Sequence, residues 1–192
     1  MEKLKVEDLY SLEQYHDTRK TFRSDVINHK KHRQVAVGPN ATLYFEDRKT
    51  IQYQIQEILR IEKIYKREDI EEELSAYNPL IPDGTNLKAT FMLEFPEEGV
   101  RREMLSRLIG IEDQIYINIG DLKVSAIADE DLERTTEDKT SAVHFLRFEL
   151  SEDVVEAIKS HNGFTFSIEH ENYNHISDMD EKTIESLISD LD

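Results

Sequence analysis

Read as a pattern of apolar and polar positions, the chain alternates between the two repeats of regular structure. Residues 6–33 place Leu9, Leu12, Phe22, Val26 and Ile27 at helical spacing and predict one or two helices. Gln34–Val37 and Ala41–Phe45 are short β runs. Gly38-Pro-Asn40 between them is turn chemistry, so a hairpin is expected. A long helix follows over residues 50–66, with Ile51, Ile55, Ile58, Leu59 and Tyr65 on one face. A second helix over 68–77 must stop before Asn78-Pro79, because proline disfavours the helical conformation in the residue that precedes it.

From Lys88 to Phe95 the period changes to two. Ala89, Phe91, Leu93 and Phe95 share one side, as in a half-buried strand. Residues 97–109 return to the helical period with Val100, Met104, Leu105 and Leu108 inward, stopped by Gly110. Ile115, Ile117 and Ile119, a Gly120-Asp121 turn, and Leu122, Val124, Ala126 and Ala128 make a second hairpin, with glycine at the first position of a type II′ turn. Residues 142–150 read as a strand. Ser151 then caps a short helix that Gly163 ends, and Phe164, Phe166 and Ile168 open the last strand. Beyond Ser177, Ile184, Leu187, Ile188 and Leu191 define an amphipathic helix that must dock on its own fold or on a second copy of the chain. The expected architecture is α+β, with a mixed, mostly antiparallel sheet packed by helices. Residues 1–173 would form one domain and residues 174–192 an acidic tail with a docking helix.

Charge and composition narrow the function classes. Lys and Arg number 24 and Asp and Glu 41, a net charge of −17. The basic residues concentrate near the start, around Arg19, Lys20, Arg23 and His29-Lys-Lys-His-Arg33; the rest of the chain would repel phosphate, so nucleic acid is not an expected partner. That basic run is either a patch paired with the chain's own acids or a site for a phosphorylated small molecule or acidic partner. There is no cysteine, which removes disulfides, thiol nucleophiles and cysteine-ligated clusters. No apolar run is long enough to span a bilayer, and the first residues lack a signal peptide's apolar core, so a cytoplasmic protein is expected.

The candidate chemistry lies on the long helix and on two strands. Tyr53, Gln54, Glu57 and Arg60 line up on a second face of the helix. They form either an internal Glu57–Arg60 pair buttressing the sheet or a ligand pocket with Arg60 as anion clamp and Glu57 as acid and base. His144 points to the apolar side of its strand, as a satisfied core residue or a ligand; His170 stands likewise beside Phe166 and Ile168. If their strands were parallel neighbours, the two rings would sit about 20 Å apart, so a shared metal would require an antiparallel arrangement. Asp129 opens an acidic stretch, residues 129–138, readable as a solvated turn or a divalent-cation site. A divalent metal at His144, His170 or Asp129 stays open, though the spacings His170…His175 and Glu13-Gln-Tyr-His16 do not build a zincin or di-iron centre. No cofactor is otherwise expected, because no phosphate loop, dinucleotide fingerprint or nucleophile elbow occurs.

Seven strings carry a family resemblance: Phe45-Glu-Asp-Arg48, Tyr53-Gln-Ile-Gln-Glu57, Tyr77-Asn-Pro-Leu-Ile-Pro-Asp-Gly84, Lys88-Ala-Thr90, Gly110-Ile-Glu-Asp113, Ala128-Asp-Glu-Asp-Leu-Glu-Arg134 and Lys139-Thr-Ser-Ala-Val-His-Phe-Leu-Arg-Phe148. Together they resemble the bacterial family called domain of unknown function 3501, over residues 1–173, with the tail expected outside the family pattern. The resemblance implies no activity. Genes of this family often stand beside those for a rubrerythrin and an iron–sulfur oxidoreductase, which implies peroxide or iron redox metabolism. The leading reading is a non-catalytic accessory or adaptor protein for such a partner. Its rival is a small enzyme or a metal- or anion-binding protein with a pocket around Glu57, Arg60 and His144.

Overall fold

The computed structural model describes residues 2–128, 136, 138–160 and 164–192. Its helices are α1 (Leu12–Lys30), α2 (Arg48–Glu62), α3 (Arg67–Tyr77), α4 (Glu98–Arg107), α5 (Glu152–Ser160) and α6 (Glu181–Ile188). Its strands are β1 (Gln34–Ala36), β2 (Ala41–Phe45), β3 (Asn86–Leu93), β4 (Ile115–Ile119), β5 (Leu122–Ser125), β6 (Ile127–Ala128), β7 (Val143–Glu149), β8 (Thr165–His170) and β9 (Tyr173–Ile176). The fold is α+β, with its strands divided between two sheets. One runs β1-β2-β3-β7-β6 and the other β5-β4-β8-β9, and the paired strands are antiparallel throughout.

Period-two patterning decides which faces meet. Leu43, Phe45, Ala89, Phe91, Leu146 and Phe148 of the first sheet are buried with Ile115, Ile117, Phe166 and Ile168 of the second in one core. Ring contacts Phe45–Phe166 at 5.0 Å and Phe148–Phe166 at 5.5 Å join the sheets. Leu187 and Leu191 place α6 and the residues after it on that same core, so this segment docks on its own chain. A smaller core of Ile51, Ile55, Leu59, Leu74 and Ile81, with Leu4, holds α2, α3 and the N-terminal segment together.

Several sequence expectations are corrected. Helix α2 begins two residues early, because Asp47 caps it and accepts from the Thr50 amide at 2.8 Å. It ends at Glu62, where Lys63 takes a left-handed φ of 57°, so Tyr65 lies beyond the helix and is exposed. Val100 faces outward rather than into the core. The β8 strand is not the last, since β9 pairs with it. Ala126 ends the β4–β5 hairpin and the chain then changes sheets, with β6 pairing to β7. Gly120 has the expected positive φ, 55°. The expected stop at Gly163 and the stretch from Asp129 to Thr135 lie outside the described residues. Among those described, no helix is long and apolar enough to cross a membrane.

Candidate functional site

The polar face of α2 does two separate jobs. Gln52 and Gln56, one turn apart, read the backbone of the N-terminal segment. Gln52 donates to Asp8 O at 2.7 Å. Gln56, fully buried, accepts from Tyr10 N at 2.6 Å and donates to Tyr10 O at 3.3 Å. Gln54, the glutamine singled out from sequence, is exposed instead. Tyr53 packs its ring on Phe22 of α1 at 6.0 Å, beside Tyr10 and Tyr15.

Glu57 is the centre of the second job. Tyr15 donates to it at 2.7 Å, Arg19 makes two bonds at 2.7 and 2.8 Å, and Arg60 reaches it at 3.2 Å. Arg19 presents the forked geometry that matches a carboxylate. The Arg19 hydrogen bonds, followed by those of Tyr15 and Arg60, outweigh burial and hold the Glu57 carboxyl down at about 2. The pair foreseen between Glu57 and Arg60 therefore exists, but it braces α1 rather than a sheet. Tyr15 and Arg19, its stronger partners, were not foreseen. Tyr15 is fully buried, three residues from Leu12 and seven from Phe22, so the helical spacing of those apolar residues was the signal that could have found it.

His144 stands elsewhere, and none of the Glu57 bonds reaches it. It is buried on β7, opposite Phe91 of β3. Its Nε2–H faces Ser141 O at 3.1 Å and Thr140 Oγ1 at 2.9 Å, and the Thr140 hydroxyl donates on to Glu112 at 3.2 Å. Glu112 Oε2 is 3.9 Å from His144 Nε2. His170 closes β8 with both ring nitrogens engaged: Asn172 N donates to Nδ1 at 3.1 Å, and Nε2 donates to Ile109 O at 3.2 Å. The two histidines lie on different sheets, so the parallel-neighbour geometry does not arise. Asp129 lies outside the described residues. Among the described residues, no group of three or more His, Asp or Glu side chains is placed to hold a metal ion.

The N-terminal basic run is partly turned inward. Arg33 is buried, donates to Phe45 O at 3.2 Å and Glu46 O at 3.0 Å, and pairs with Asp190. His29 Nε2 is 2.5 Å from Asp47. Burial alone would raise the Asp47 carboxyl. The His29 hydrogen bond, the Arg33 charge and the Thr50 amide together hold it at about 2.

These features define a class: an α+β protein of two facing antiparallel sheets and a helical layer, in which the buried charges Arg33 and Asp190 and the half-buried Glu57 are bonded to partners of opposite sign. The chain belongs to the protein family of unknown function DUF3501, whose model matches residues 3–191. The match extends through the C-terminal helix, which corrects the expectation that the tail lies outside the family. A crystal structure of a novel protein of unknown function from Burkholderia pseudomallei is 46% identical, with a TM-score of 0.91 and 100% of each chain covered. No curated protein matches the chain.

Proposed function

We propose that this chain is a non-catalytic accessory protein of peroxide or iron redox metabolism, acting by binding a redox protein such as a rubrerythrin or an iron–sulfur oxidoreductase. The observation that carries the reading is the saturation of the side chains best suited to chemistry. Glu57 takes hydrogen bonds from three side chains and is ionised far below neutral pH, well away from the range that suits proton transfer there. His170 has spent both ring nitrogens on the backbone. Either residue would have to break the contacts that hold its helix or strand before it could serve a substrate. Without cysteine the chain supplies neither a redox thiol nor a cysteine-ligated cluster, which favours a partner that carries the redox centre. The choice of partner follows the gene neighbours of the family.

Calorimetric titration against a rubrerythrin and an iron–sulfur oxidoreductase from the same host tests this. The expected result is micromolar binding to one of them that weakens with added salt, given the net charge of −17. Absence of heat with both, or one iron, zinc or manganese ion per purified chain, would overturn the reading.

A further inference from the structure

A cleft of about 210 Å³ lies on the outer face of the first sheet, away from both the Glu57 and the His144 clusters. Its floor is β3 and β7. The register sets Lys88 directly opposite Arg147 and Thr90 opposite Phe145, so these four side chains share one face. Pro79 and Leu80 form one wall and Ile127 of β6 the other, with Glu46 also in the lining. The Lys88 ammonium fixes the first wall by donating to Pro79 O at 2.6 Å and Ile81 O at 3.1 Å.

Two cations at directly opposed positions repel, and sheets avoid such pairs. Here they are retained in a chain of strongly negative charge. Glu149 meets only part of Arg147, through Nε at 3.3 Å; the two terminal nitrogens have no acceptor among the described residues. The third proton of Lys88 likewise has none. The Asp83 and Glu149 carboxylates offset part of this repulsion, and an anion seated between the two cations would reach the unbonded nitrogens of both and offset the rest. The remaining walls are apolar, and Glu46, held by Thr50 at 2.6 Å and Thr90 at 3.2 Å, adds a negative charge. A second negative charge on the ligand would meet that carboxylate. The volume is below the roughly 300 Å³ at which drug-sized ligands begin.

We infer that this cleft binds a small monocarboxylate with an apolar body, its carboxylate clamped between Arg147 and Lys88 and its hydrocarbon against Leu80, Ile127 and Phe145. The assignment goes beyond the accessory role and does not depend on it. Benzoate is the probe, followed through the methyl resonances of Thr90 and Ile127 in the full-length protein. Saturable shifts at these methyls, with benzamide and inorganic phosphate each at least about tenfold weaker, are expected. Arg147→Gln should weaken benzoate by about tenfold or more while the core methyls of Ile117 keep their positions. The comparison with benzamide needs no variant. The proposal is overturned if benzoate shifts neither methyl up to about 10 mM, if benzamide or phosphate matches it, or if folded Arg147→Gln binds it as well as the parent.

Discussion

Arg33 and Asp190 stand 157 positions apart and meet as a buried ion pair, with Nη1 to Oδ1 at 3.2 Å and Nη2 on the second oxygen. The guanidinium also holds Phe45 O, Glu46 O and Ser186 O, so one side chain joins the end of α1, the β2–α2 junction and the C-terminal helix. Burial pushes the Asp190 carboxyl upward against the pull of Arg33, and nearby Asp47 adds to the rise. A pair in this position contributes little net stability, but removing one partner strands a charge.

Replacing Arg33 with Met should therefore cost about 3–5 kcal/mol in urea unfolding near neutral pH. Burial raises the folded pKa of Asp190 and losing Arg33 raises it further, so the stranded carboxylate becomes more destabilising as pH rises through that higher folded pKa. The Arg33→Met deficit should shrink on moving from neutral pH toward pH 4, where Asp190 takes up a proton. Adding Asp190→Leu should recover most of the loss. An Arg33→Met protein as stable as the parent at neutral pH would refute the idea that this pair secures the C-terminal helix.

Glu57 contributes with the opposite sign, yet the gap between variant and parent again narrows as pH falls, here at a lower pH. Its folded pKa is depressed to about 2, so its stabilisation is complete above the unfolded value near 4.5 and disappears as pH falls toward 2. Glu57→Gln should cost about 1–3 kcal/mol at neutral pH through weakened charge-assisted bonds from Arg19 and Tyr15. The gap between variant and parent should narrow below about pH 4. Acid unfolding followed by circular dichroism measures it; a gap that persists to pH 2 would show that the charge of Glu57 is not what matters.

The sequence made the elements legible wherever local chemistry settles them. Alternation at Ala89, Phe91 and Leu93 placed β3, and the turn residues Gly38 and Gly120 placed two hairpins. What stayed hidden depends on distant neighbours. Nothing local separates Gln54 from Gln56, yet only Gln56 faces the Tyr10 backbone. Arg33 resembles its basic neighbours in sequence, and its burial follows from Asp190 and the carbonyls of β2. The β7 pattern put His144 on the buried face, whereas its Thr140–Glu112 relay comes from a turn after α4 and the residues before β7. The opposed cations Lys88 and Arg147 needed the β3–β7 register, which no single strand reveals.

Two glycines with similar backbones separate conformational strain from packing. Gly38 has φ 78° and Gly120 φ 55°, both in the left-handed region that alanine adopts at a cost. A Cβ on Gly120 would meet nothing within 4 Å. One on Gly38 would lie 2.6 Å from the His175 ring and 2.7 Å from Tyr173 Oη. That hydroxyl donates to Val37 O at 2.9 Å and accepts from Asn40 N at 3.0 Å, tying the β1–β2 turn of one sheet to β9 of the other. Gly120→Ala should therefore cost only about 1 kcal/mol, the conformational penalty alone. Gly38→Ala adds overpacking of about 1–3 kcal/mol and should fall distinctly further in urea midpoint. Equal midpoints for the two variants would mean that the turn does not press on β9, and that the sheets are held together by the Phe45, Phe148 and Phe166 rings without it.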